Sequence, residues 1–367
     1  VRHGPGVAGV TVEHAHAGHA QAQAQHGDMP FMSMVDVTKD LPRSRDGLPM
    51  EWVEVPFGPM FPGLPGGLLL TLTLDGDAVA KTRVRSVVGG GGVLPTAGLD
   101  ATSFIAHLGA MDPLAPVAYR LLACRALEAA AGQVPDEEIR RRRIAVLERE
   151  RIASHLGWLA MLGLQTGFAW LERHATRMQL ECLRADLPRI LQLRSTIQAL
   201  TARLVRTPLL RSRLHGSGIV RPSSDLRGPV ARAAGMRCDA RIDDETYAAL
   251  AFEMTERQGG DAFDRLHIRL GEMQQSLALI QSVGGFAEPA STVVGSASGA
   301  GHASLETPRG EAQLHLVLES GRVVQAQLDT PTTHHMKLLP DLLDQQELGD
   351  ALTTVCSLDL SPWEVAA

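Results

Sequence analysis

Glu148, Arg151 and His155 stand three and four residues apart in the run ERERIASHLGWL, residues 148–159. An acid, a guanidinium and an imidazole at that spacing can exchange a proton or hold a polar ligand, provided one helix presents all three together. Residues in a helix turn by about 100° per position. Over 138–163 the apolar arc is set by Ile144, Leu147, Ile152, Leu156 and Leu159. Glu148, Arg151 and His155 fall inside that arc, whereas Arg142, Arg143 and Glu150 fall opposite. The row is therefore expected on the face that meets the interior. Buried charges are costly unless paired, so this face either lines a polar cavity or is closed by an internal salt-bridge network that holds helices in register. In the first case the imidazole titrates near neutral pH beside an arginine.

Other chemistry-bearing residues form weaker patterns. Asp112 and Glu128 are sixteen apart, and two carboxylates without a fixed geometry make no acid–base pair. The Gly89–Gly92 run has no following Lys-Ser/Thr pair and no GxGxxG arrangement, so it reads as a flexible loop rather than a phosphate cradle. Ser103, Ser154 and Ser217 lack a GxSxG context. His14, His16, His19 and His26 lie in a polar stretch poor in large apolar residues, which reads as a flexible tail rather than a metal site. Cys124, Cys182, Cys238 and Cys356 are far apart with no CxxC pair, which argues against a locally built iron–sulfur or zinc site and fits a reducing compartment. The formal charge of -6 offers no basic excess for nucleic acid, and Arg140–Arg143 reads as a solvated helix face. No apolar stretch reaches the roughly 18 to 20 residues of a membrane-spanning helix, so membrane contact must come through partners. The first residue is Val rather than Met, so the N-terminus gives no reading of a targeting peptide.

The pattern around these residues predicts two hairpins flanking a helical body. Leu70, Leu72 and Leu74 alternate with Thr71 and Thr73, Asp75-Gly76 supplies a turn, and Val79 to Val84 return, which predicts a hairpin within 48–88. A second hairpin is predicted within 305–330. There Leu314, Leu316 and Leu318 alternate, Ser320-Gly321 turns, and Val324, Ala326 and Leu328 resume. The two hairpins are expected to share one antiparallel sheet. Between them a helical body is expected over 99–284, broken at 216–229. Its clearest helix carries Leu266, Leu270, Met273, Leu277 and Ile280 on one apolar stripe. Residues 284–303, small and polar, read as a surface connection. The expected class is α+β, mainly α, with residues 1–47 as tail and lead-in, 48–367 as one domain, and a C-terminal segment over 331–367.

Four motifs, in order, resemble one family. MDPLAPVAYRLLACRALEAAAGQVP (111–135), ERERIASHLGWLAMLGL (148–164), GGDAFDRLHIRLGEMQQSLALI (259–280) and TPRGEAQLHLVLESG (307–321) are similar to segments of the large subunit shared by membrane-bound [NiFe] hydrogenases and the quinone-site subunit of complex I. The stretch 31–59 resembles the lead-in segment of the hydrogenase-like members. The resemblance implies a central helical bundle with an antiparallel sheet. It also implies a small iron–sulfur partner carrying a [4Fe-4S] cluster, antiporter-like membrane subunits, and a place on the cytoplasmic side of a prokaryotic inner membrane.

Carried over residue by residue, the resemblance finds the family's functional groups replaced. A quinone-binding His would stand at Phe61, and a quinone-contacting Tyr at Pro113; neither side chain donates a hydrogen bond. Two Cys-x-x-Cys pairs that hold nickel and iron would fall at Asp112 and Ala115 and at Ser361 and Glu364. No thiolate remains there, so no metal is expected in this chain and none of its residues is assigned as catalytic. Asp112, Glu148, Arg151, His155 and Arg309 are the residues expected around the remaining cavity. The implied function is that of a peripheral oxidoreductase subunit coupling electron transfer, with a quinone among the acceptors, to ion translocation. The alternative is a structural subunit without a reaction of its own.

Overall fold

The computed structural model describes residues 52–88, 94 and 98–365. The His-rich tail, most of the lead-in segment and Gly89–Gly92 lie outside the described residues. The first strands, β1 (Val53–Phe57), β2 (Leu68–Asp75) and β3 (Ala78–Ser86), form an antiparallel sheet in the order β1-β2-β3. Leu68, Leu70, Leu72 and Leu74 enter the core from alternate positions of β2, and Gly76 takes the left-handed φ of 61° that the tight turn after Asp75 needs.

A short β4 (Leu99–Asp100) leads into α1 (Ala101–Met111), with Asp100 accepting from Ser103 N at 2.9 Å as its N-cap. Then come α2 (Pro116–Ala130), α3 (Glu137–Gln165), α4 (Ala169–Arg184), α5 (Leu187–Gln192), α6 (Arg194–Val205) and α7 (Pro208–Leu214). After α8 (Gly228–Ala233) and α9 (Glu245–Ala249), α10 (Ala262–Val283) packs against α3. The chain ends with β5 (Gly299–Thr307), β6 (Gly310–Glu319), β7 (Arg322–Asp329), α11 (Pro331–Leu343) and α12 (Leu348–Leu358).

The architecture is α+β, as expected, but the two hairpins do not share a sheet. The C-terminal hairpin belongs to a second sheet in the order β4-β7-β6-β5, backed by α1 and α2. The first sheet packs instead on α8, α11 and α12. Each sheet buries one face under its own helices, so the alternation that defines the hairpins carries no signal of mutual pairing.

The connection expected over 284–303 is overturned at its end, because residues 299–303 form part of β5. They are small because α2 lies directly over the strand: a Cβ on Gly301 would sit 2.1 Å from the Ala126 carbonyl oxygen. In β7 a register shift beside Val317/Leu318 brings Val323 into the core and leaves Val324 outside, one residue off the alternation read from sequence.

Candidate functional site

Helix α3 extends slightly past both of its expected ends and is buried almost all round. Glu148, Arg151 and His155 are fully buried, as their place in the apolar arc requires. Arg143 and Glu150, expected on a solvated side, are buried too. Arg143 pairs with Glu128 at 2.7 Å, and the Glu150 carboxylate accepts from Val117 N and Ala118 N at 2.6 and 2.8 Å, capping α2 from another helix. Glu128 therefore serves α3 and makes no pair with Asp112.

The row on α3 is closed by residues from five other segments. Glu148 accepts from Tyr247 Oη and Ser276 Oγ, both at 2.5 Å, and from Arg151 Nε at 3.1 Å. Burial pushes its carboxyl up, but Arg151 and Arg241, with the two hydroxyls, outweigh that and hold it below the usual range. Arg151 donates Nη1 to Thr307 O at 2.9 Å and Nη2 to Glu306 O at 2.6 Å, so it grips the end of β5. His155 Nε2 meets Glu272 Oε2 at 2.9 Å; burial drives its pKa below the ordinary value. Glu272 in turn accepts from Arg232 Nη2 at 2.5 Å and Arg241 Nη2 at 3.4 Å. Arg232, Asp239, Arg241, Glu272 and Glu306 carry as much of this network as the predicted row does.

Asp112 and Arg309 belong to a second cluster. Arg309 donates Nη1 to Asp112 Oδ2 at 2.9 Å and to Glu364 Oε1 at 3.4 Å, and its Nε lies 3.6 Å from Asp359. Thr332 Oγ1 donates to Glu364 at 2.6 Å and accepts from Ser361 N at 3.0 Å. Burial lifts the Glu364 carboxyl to about 7, against the pull of Arg309. The structure thus divides the five predicted cavity residues, placing Glu148, Arg151 and His155 in one network and Asp112 and Arg309 in another. The turn between β5 and β6, Thr307 to Gly310, lies between them.

Of the four positions matched to metal-binding cysteines, Asp112 and Glu364 meet at Arg309. The four do not fit a nickel–iron centre. Asp112 and Glu364 are committed to a guanidinium, Ala115 offers a methyl group and Ser361 a hydroxyl. The positive charge of Arg309 between Asp112 and Glu364 opposes a metal cation. Cys124 and Cys356 are buried, with thiols raised far from ionisation by burial. Phe61 packs edge-on against Phe57 at 5.1 Å, filling the loop between β1 and β2 with aromatic contact, and Pro113 is exposed.

Among relatives, the model of the family described as respiratory-chain NADH dehydrogenase, 49 Kd subunit, matches residues 148–292, a span that includes the buried row on α3 and Glu272. This chain is related to that 49-kDa subunit. Its counterpart in the NADH-quinone oxidoreductase of Geobacillus kaustophilus is 24% identical over 353 residues, covering 84% of this chain and 96% of that relative. The counterpart in the NADH-quinone oxidoreductase of Saccharopolyspora erythraea is 26% identical over 400 residues, covering 84% and 88%. A component of the chloroplastic NAD(P)H-quinone oxidoreductase of Zygnema circumcarinatum is 29% identical over 265 residues, covering 62% and 67%. In fold, the chain superimposes with a TM-score of 0.76 on a chain of the membrane-bound sulfane sulfur reductase, an archaeal respiratory membrane complex, at 20% identity, covering 86% of this chain and 99% of that one. The fold expected from the four motifs is therefore that of subunits from such respiratory complexes.

The signal that would have revealed Glu272 was present in the sequence. Arg265, Arg269, Glu272 and Ser276 are spaced 4, 3 and 4 apart on α10, the same helical period as its apolar stripe. Glu306 stands one residue before the predicted TPRGE motif. Asp239 and Arg241 sit in an irregular segment where no periodicity applies.

Proposed function

We propose that this chain is the peripheral large subunit of a hydrogenase-related, complex I-like membrane assembly. In this reading it docks a small iron–sulfur subunit and couples electron transfer to ion translocation, with its nickel–iron site lost. The supporting observation is the length of the match: 96% of the Geobacillus relative is paired with 84% of this chain, so a whole subunit is shared rather than a module. The chain itself holds no cofactor in this reading. The [4Fe-4S] cluster belongs to the partner, and a quinone is a candidate acceptor, held in a pose that does not use the groups replaced by Phe61 and Pro113. Among the described residues no helix is long and apolar enough to cross a membrane, so attachment to the cytoplasmic face of the inner membrane falls to antiporter-like subunits.

A second reading, a structural subunit without a reaction of its own, also has an observation in its favour. Asp112, Glu148, Arg151, His155 and Arg309 are at most 2% exposed and engaged with one another or with neighbouring groups. Capture of the subunit from native membranes in mild detergent, with mass spectrometry of what accompanies it, tests the assembly. Recovery with an iron–sulfur subunit and antiporter-like membrane subunits is expected, and recovery alone from the soluble fraction would end the reading. The purified complex should also reduce a quinone analogue and lose that activity in Arg309→Ala; unchanged activity would favour the structural reading.

A further inference from the structure

The buried network on α3 contains an imbalance that its function has not used. Four carboxylates, on Glu148, Asp239, Glu272 and Glu306, meet three guanidiniums, on Arg151, Arg232 and Arg241, around a neutral His155. The excess concentrates at one atom. Arg232 Nη1 faces Glu306 Oε1 at 2.8 Å, Asp239 Oδ2 at 3.0 Å and the Cys238 carbonyl oxygen at 3.2 Å. The two hydrogens of that Nη serve Glu306 and the Cys238 carbonyl, so Asp239 faces it as a charge and takes its own hydrogen bond from Arg241 Nη2 at 2.7 Å. A proton on one of the carboxyls removes the excess negative charge.

This pair lies beneath an open cleft, with both side chains at most 1% exposed. Asp239, Ala240, Ser304 and Glu311 line an open cleft of about 680 Å³. Glu306 lies on the same face of β5 as Ser304, one step further in, directly opposite Glu311 of β6. Its second oxygen accepts from Ala240 N at 3.2 Å. The other charged and titratable groups facing the pair are Arg151 and Glu148 on α3, Glu272 on α10, Arg241 and Cys238 beside Asp239, and Arg125 with Asp243, Asp244 and Arg237 around the cleft.

We propose that Glu306 and Asp239 form a carboxyl pair that takes up one proton from the cleft and shares it, a proton-binding site at the mouth of the buried network. Uptake changes the pair from two negative charges to one and leaves the network neutral. Burial, and then the charge of Asp239, push the Glu306 carboxyl up to about 6 against Arg232 and Arg241, so the proton exchanges close to neutral pH. The site stands whether or not the chain takes part in electron transfer.

Infrared titration of the full chain tests it, read as the difference between wild type and Glu306→Gln. That difference should contain one protonated-carboxyl carbonyl band growing as pH falls through about 6. In Glu364→Gln the Glu306 band should persist. Asp239→Asn reaches the pair from the other side: with the competing negative charge gone, the Glu306 band should appear only at lower pH. Thermal unfolding gives a second readout. The folded pKa lies above the unfolded one, so the wild-type advantage over Glu306→Gln should be greatest below about pH 4.5 and shrink as pH rises through about 6. Either a difference spectrum without the band or a stability deficit of Glu306→Gln that stays constant with pH would overturn the proposal, since a plain salt bridge to Arg232 produces both.

Discussion

Arg309 meets three carboxylates, Asp112 and the C-terminal Asp359 and Glu364, at a place where the side chains are almost wholly out of water. A buried charge left without its partner costs more than the pair contributes, so Arg309→Met should destabilise the protein by about 3–5 kcal/mol in denaturant unfolding at neutral pH. Arg309→Lys should restore only part of this, because one ammonium cannot reproduce the planar fork that reaches Asp112 and Asp359 together. A loss below about 1 kcal/mol would show that the carboxylates behave as solvated surface groups. His155 provides a pH test of the other network. Its folded pKa lies below the unfolded value, so its contribution is complete above about pH 6.5 and declines as the unfolded imidazole takes up a proton below that. Unfolding titrations should show wild type losing more stability than His155→Gln as pH falls from about 7.5 to about 5. Equal slopes would place a charged imidazole in the fold.

Between residues and fold, the helices and strands set which of these groups meet. The burial of Glu148, Arg151 and His155 was legible because three polar side chains inside an apolar arc can only point inward. Their partners were not, because Glu272 needed the polar row of α10 to be read alongside its apolar stripe, and Arg232, Asp239 and Arg241 lie in or beside irregular chain. The hairpins were legible from alternation and turn residues, whereas their assignment to separate sheets depends on which helices cover them. β5 was hidden for a physical reason: its first half has small residues where a strand usually shows β-branched ones, since α2 crosses it closely. Gly301→Val should therefore cost about 1–3 kcal/mol in thermal or denaturant unfolding, because its Cβ would collide with the Ala126 carbonyl and the Ala130 backbone nitrogen. Wild-type stability in that variant would mean that α2 can move off the sheet without penalty.

Taken as a whole, residues 53–365 contain three main apolar cores joined by polar ones. One core gathers α3 to α7 with α10, a second joins α1 and α2 to the second sheet, and a third joins the first sheet to α8, α11 and α12. The two ionic networks draw on elements of all three. Apolar contact alone resists sliding only weakly, so directional bonds at the junction fix the relative positions of the layers. The β5–β6 turn is held from both sides: Arg151 donates to the carbonyls of Glu306 and Thr307, and Arg309 extends from the same turn into the second network. Thr307 Oγ1 ties the turn internally, accepting from Arg309 N at 3.2 Å and donating to Gly310 O at 2.9 Å. Loosening one network should therefore shift the turn and weaken the other. A double-mutant cycle with Glu148→Gln and Arg309→Met should show a coupling of at least about 0.5 kcal/mol, beyond what independent sites give. Additive losses would mean that the turn is rigid enough to separate the networks, so that a charge change in one could not be transmitted to the other through this fold.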